Sequence, residues 1–89
     1  MIEHMNITVK GRVQGVWFRA STKEIALEIG IKGFVKNLLN KNVYIEAEGS
    51  SEQLQQFLNW CKKGPRLSHV VELESNKGLV QHYTSFEIR

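Results

Sequence analysis

The stretch that most constrains this chain is Gly11-Arg12-Val13-Gln14-Gly15-Val16-Trp17-Phe18-Arg19. Before it, Asn6 to Val9 alternates, with Ile7 and Val9 on one face and Asn6 and Thr8 on the other, as a half-buried strand does. After it, Phe18, Thr22, Ile25, Ala26 and Ile29 fall on one helical stripe and leave Lys23, Glu24 and Glu28 for solvent. The stretch therefore reads as a strand-to-helix loop that ends inside the first helical turn. Anions bind at such junctions. The first amide N–H groups of a helix lack intrahelical partners and sit at the positive end of the peptide dipole, and glycines before them let successive N–H groups converge. Arg19 adds a permanent charge and a planar fork of donors that matches two phosphate oxygens.

What can be built around this loop is limited by length. A chain of 89 residues is expected to form one domain spanning residues 1–89, and a domain of that size buries about 60% of its unfolded surface, enough for one sheet and one or two helices. No linker, repeat or low-complexity tract interrupts it, no apolar run reaches membrane-spanning length, and Met1-Ile2-Glu3-His4 is neither a basic leader nor an apolar one. A cytoplasmic location with no membrane partner is expected. The single cysteine, Cys61, has no internal partner for a disulfide, which fits a reducing compartment. The net charge of +3 is too small to demand nucleic acid. All nine acidic residues are glutamates, which argues against phosphoryl-transfer chemistries that depend on aspartate to hold magnesium or to form an aspartyl-phosphate.

Further along, Gly30 caps the first helix, and strands are expected at Ile31–Leu38 and Val43–Glu48, joined by a hairpin over Leu39–Asn42. Ser50 and Gln53 have the spacing of a capping box, and Leu54, Phe57, Leu58 and Cys61 trace a second helical stripe, which makes Cys61 a core residue. Gly64-Pro65 stops that helix. A fourth strand is expected over His69–Glu74, a turn around Asn76-Lys77-Gly78, and a fifth strand over Thr84–Ile88. The order βαββαβ with a terminal strand implies an α+β fold, a ferredoxin-like sandwich whose five-stranded antiparallel sheet carries two helices on one face. The crossover β-α-β makes the first two strands parallel, so Asn37, at the end of the second, lies at the same sheet edge as the loop. With one strand between them, Asn37 starts about 10 Å from the end of the first strand, and it and Arg19 can meet across one phosphate-sized ligand.

The loop from Gly11 to Arg19, preceded by Val9, resembles the first signature of the acylphosphatase family, and Gly33-Phe34-Val35-Lys36-Asn37, with Val43 and Gly49 downstream, resembles the second. By that resemblance Arg19 and Asn37 occupy the family's two catalytic positions. Gly15, Val16, Trp17, Phe18 and Arg19 fall on its phosphate cradle. The implied activity is hydrolysis of acyl phosphates without cofactor or metal ion. Lys41 stands where the family usually has glycine, so the hairpin is expected to place its left-handed residue at Asn40 or Asn42, or to adopt another turn type. Phe34 stands where several relatives carry tryptophan, a change of packing.

The chemistry suits so few groups. An acyl phosphate leaves as a carboxylate, whose conjugate acid has a pKa near 4 to 5, so no general acid is needed for its departure. There remains the need to hold the phosphoryl group, offset its charge and place a water in line. Arg19 and the loop amides serve the first two. Asn37 serves the third, accepting through its carbonyl and donating through its amide while neutral at every working pH.

Other machinery is missing. His4, His69 and His82 are scattered and are expected in surface or structural roles. Cys61 to Arg66 is one residue short of a cysteine-phosphatase loop, and Gly15 is not followed by Lys-Ser or Lys-Thr. No metal-ligand spacing occurs. Base stacking on the sheet finds only Tyr44 on the third strand and nothing on the first, which sets an RNA-binding role aside. The alternative is a module that binds an acyl or carbamoyl phosphate without turning it over. In either case the partner is a small molecule, and the lack of a long apolar edge on the last two strands favours a monomer.

Overall fold

The computed structural model describes residues 1–89. Its elements are β1 (Glu3–Arg12), α1 (Phe18–Ile29), β2 (Lys32–Asn37), β3 (Val43–Gly49), α2 (Ser51–Lys63), β4 (His69–Gly78) and β5 (Phe86–Ile88). They form one sheet in the order β4-β1-β3-β2-β5, so β3 does separate β1 from β2, as the ferredoxin-like order requires. Both helices pack on one face, α1 over β2 and β5, α2 over β4, β1 and β3. Between the layers lie Ile7, Val9, Val35, Val43, Ile45 and Ala47 from the sheet, facing Phe18, Ala26, Leu54, Phe57 and Cys61 from the helices. Phe57 and Phe18 are the largest side chains wholly inside. Burying a phenylalanine is worth roughly 1.5–3 kcal/mol, so these two rings anchor the two helices to the sheet.

The sheet is mixed, in contrast to the antiparallel one expected. β1 pairs antiparallel with β3 and β4, and β2 with β3, but β2 and β5 are parallel, with Gly33 opposite Phe86 and Val35 opposite Ile88. The cause is topological. β4 and β5 lie at opposite edges, and the helices occupy one face, so the segment 79–85 crosses the other face and enters β5 from the end at which β2 starts.

The turn expected around Asn76-Lys77-Gly78 is also absent. Those residues extend β4 opposite Asn6, Met5 and His4 of β1, because pairing with a ten-residue strand satisfies backbone groups that a turn there would leave open. β1 likewise runs on to Arg12, so Gly11 and Arg12 are strand rather than loop, with a register shift between Lys10 and Gly11. α2 begins as expected. Ser50 accepts from the Gln53 amide and the Gln53 side chain accepts from that of Ser50, while Gln53 Nε2 donates to Ile29 O at the end of α1.

Candidate active site

At one edge of the sheet the chain brings together the end of β1, the start of α1, the end of β2, the end of β5 and the loop that enters β4. The connection from β1 to α1 shrinks to Val13–Trp17. Within it Gly15 has φ 75° and Trp17 φ 64°, whereas Val16 stays on the negative side. Alternating backbone handedness of this kind curls successive N–H groups around one point. No Cβ clash demands glycine at position 15, since open space lies where one would go. The requirement is the left-handed φ itself.

None of the amides of Gln14 to Trp17 donates to another group of the protein, and those of Phe18, Arg19 and Ala20 open α1, where no intrahelical acceptor exists. Trp17 is the N-cap residue and supplies no side-chain acceptor, and no acidic residue occupies the first turn. A helix start that lacks both its usual oxygen cap and its usual carboxylate leaves its partial positive charge uncompensated by the protein.

Two side chains face this cradle. A pocket of about 390 Å³ is lined by Val13, Gly15, Trp17, Phe18, Arg19, Ala20, Asn37 and Ile88. Arg19 is exposed and enters none of the ion pairs. Asn37 Oδ1 is buried, and it is the one buried side-chain nitrogen or oxygen in the protein without a hydrogen-bond partner. Such an atom costs about 1–3 kcal/mol when left unpaired, so its place beside Arg19 calls for an explanation.

Gln14 fixes the cradle relative to Asn37. Its Nε2 donates to Leu38 O at 2.8 Å and to Asn42 O at 2.9 Å, tying the loop to the hairpin just beyond β2. Its place in the first signature is visible in the sequence, but a contact across 24 to 28 positions leaves no periodic signal. In the same hairpin Lys41 itself takes the left-handed conformation, φ 75°, where Asn40 or Asn42 was expected to do so. Leu38 N donates to Asn42 O, Lys41 N to Leu38 O, and Asn42 N to Asn40 Oδ1. These bonds hold the turn, and Lys41 bears its strain.

The other candidate groups lie elsewhere. Cys61 is wholly buried, and burial pushes its thiol well above the ordinary range, so it is core and no nucleophile. His4 is buried on the open face of the sheet, its Nδ1 2.7 Å from Glu48 Oε2 and its Nε2 2.8 Å from Asn6 Oδ1. No three of the His, Cys or Glu side chains converge where they could hold a metal ion.

Converging amides, a free guanidinium and an orphaned carbonyl at the edge of a ferredoxin-like sheet suit a tetrahedral oxyanion with a water beside it, which puts the chain among the small α+β proteins that bind phosphoryl groups. Comparison with known proteins narrows this. The acylphosphatase family model matches residues 5–88. An acylphosphatase of Archaeoglobus fulgidus is 46% identical over 84 residues, 94% of each chain. The crystal structure of the acylphosphatase from Bacillus subtilis superposes with a TM-score of 0.95 at 33% identity, covering 100% of this chain and 99% of that one, and the acylphosphatase from Coxiella burnetii does so at 0.95 and 32%, covering 99% and 93%. The chain belongs to the acylphosphatase family.

Proposed function

We propose that the protein hydrolyses acyl phosphates to a carboxylate and inorganic phosphate, with Arg19 and Asn37 as its catalytic residues. The amides of Gly15, Val16, Trp17, Phe18 and Arg19 hold the phosphoryl oxygens, and the Arg19 guanidinium offsets the charge that spreads over them as the P–O bond to the acyl group lengthens. Asn37 accepts a hydrogen from a water through Oδ1 and so orients it for in-line attack. The water oxygen forms the new bond to phosphorus, the acyl oxygen departs with the bonding pair as a carboxylate, and the water's proton passes to a phosphoryl oxygen. Positive charge comes from the amides and Arg19, so the chemistry needs neither metal ion nor cofactor.

In this reading the protein works as one domain of residues 1–89, as a monomer in the cytoplasm, on a small molecule and not on nucleic acid or at a membrane. The supporting observation is that Asn37, whose Oδ1 has no hydrogen-bond partner, lines the same pocket as Arg19. Phosphate release from acetyl phosphate in excess chelator tests it. The wild type should turn over, and Arg19→Ala should lose at least about a hundredfold, the loss typical of removing a transition-state donor. No turnover in chelator that added magnesium restores, or an Arg19→Ala variant of full activity, contradicts the proposal.

A further inference from the structure

The acids of this chain avoid one edge of the molecule. No glutamate falls in residues 4–23, 29–45 or 53–71, and these runs contain the three connections that meet at the site, 13–17, 38–42 and 64–68. The opposite edge holds Glu3 at the start of β1, Glu28 at the end of α1, Glu52 in the first turn of α2 and Glu48 opposite His4. Glu72 and Glu74 of β4 lie 3.8 and 2.6 Å from Lys10 Nζ, and Glu87 lies 3.4 Å from Arg89 Nε, so each of these acids faces a cation of its own.

Three separate hollows border the loop 13–17, and a cation lines each. Arg19 stands in the pocket with Asn37, Arg12 and Lys41 stand in a second hollow that borders Val13 and Gly15, and Arg66 stands in a third that borders Val16 and Trp17. All four side chains are exposed and none pairs with a carboxylate. Lys41 holds its place at φ 75°, and backbone strain of this kind collects at functional sites. The helices add to the same sign. α1 presents its positive end here, and the negative end of α2, which reaches this edge just before residue 64, is met by Lys62 and Lys63 in its last turn.

Arg12, Lys41 and Arg66 lie outside the pocket that Arg19 and Asn37 line, so what they contribute there is a field. A phosphoryl group carries about two negative charges at neutral pH. Fixed charges of one sign around a cleft raise the local concentration of a ligand of the other sign and its rate of arrival. The total charge of the bound substrate is the same before and during the reaction, so a field from outside the pocket favours both states alike. Uniform binding of that sort lowers KM and raises kcat/KM while leaving kcat unchanged.

We propose that Arg12, Lys41 and Arg66 are steering residues, which draw the phosphoryl dianion to the cradle and take no part in the chemical step. The ligand is taken from the hydrolase reading, on which this rests, and the experiment separates the two.

Acetyl phosphate kinetics are measured at ionic strengths of about 10 mM and about 0.5 M, where the Debye length falls from about 30 Å to a few ångström. The variants are Arg12→Gln, Lys41→Gln and Arg66→Gln, singly and together. A double variant, Lys32→Gln with Lys77→Gln, removes two exposed charges at the start of β2 and near the end of β4, on the opposite edge. At low ionic strength a unit charge about 10 Å from a dianion changes its binding by about two- to threefold. Each single variant should therefore lower kcat/KM by about that factor and the triple variant by at least about tenfold, with kcat within about twofold of wild type. At high ionic strength the triple variant should return to within about twofold of wild type, and the Lys32 and Lys77 control should stay there at both. A triple variant equal to wild type at low salt, a deficit that persists at high salt, or an equal deficit in the control overturns the steering. A wild type without turnover overturns the hydrolase reading alone. The Kd for inorganic phosphate, which should rise by the same factors in the same variants, then decides the steering.

Discussion

Gln14 does for the site what no catalytic group does for itself. Its two donated hydrogen bonds clamp the β1–α1 loop to the carbonyls of Leu38 and Asn42, and these flank the hairpin that follows Asn37. Gln14→Ala should lower kcat for acetyl phosphate about tenfold, since displacing a positioned group by a fraction of an ångström has effects of that order or larger. Stability should fall by about 1–2 kcal/mol for the two lost bonds. Denaturant unfolding and steady-state kinetics measure both, and a variant with wild-type kcat would remove Gln14 from the site. That Arg19 and Asn37 line one pocket is legible in the sequence, because the crossover rule puts the ends of β1 and β2 at one edge. The clamp is not legible, because its acceptors are backbone carbonyls, which carry no residue identity.

At the scale of elements, a helix and a hairpin show what local pattern does and does not carry. α2 is readable because its capping box and apolar stripe are complete within its own residues. The hairpin between β2 and β3 is not, because Lys41 takes a conformation that glycine favours. A left-handed residue with a Cβ costs about 1–2 kcal/mol, part of which glycine returns by its greater freedom in the unfolded chain. Lys41→Gly should therefore stabilise the protein by about 0.5–1 kcal/mol without changing kcat, since the Lys41 side chain lies outside the pocket. A lower denaturation midpoint for this variant would show that the lysine side chain holds the turn in some other way.

For the whole molecule, the element hardest to anticipate is the segment 79–85, whose path depends on which face the helices leave free. It is held by a carboxylate. Glu48 accepts from the amides of Gln81 and Tyr83 and lies against His4, while Glu46 accepts from the hydroxyls of Tyr44 and Tyr83. Burial pushes Glu48 up, but the Gln81 amide, the His4 ring and the Tyr83 amide together hold it below its ordinary value. A carboxyl lowered in the folded state stabilises fully above its unfolded pKa, near 4.3 for glutamate, and that contribution is lost as pH falls through the lowered value. Stability should therefore drop below about pH 4, and Glu48→Gln should flatten the drop. An identical acid slope in the variant would assign it to other groups. On the alkaline side Tyr44 and Tyr83 are pushed up to about 12, by burial first and by their bonds to Glu46 second. Raised groups stabilise below their unfolded value, near 10, and that stability is lost as pH rises toward 12.

The most direct test of the site is Asn37→Ala, assayed for acetyl phosphate turnover in excess chelator and for inhibition by inorganic phosphate. If Asn37 orients the water while the cradle and Arg19 bind the phosphoryl group, kcat falls by about a hundredfold or more and phosphate inhibits within about twofold of wild type. If kcat survives, or if phosphate binding is lost together with turnover, Asn37 does not hold the water and the proposed division of labour is wrong.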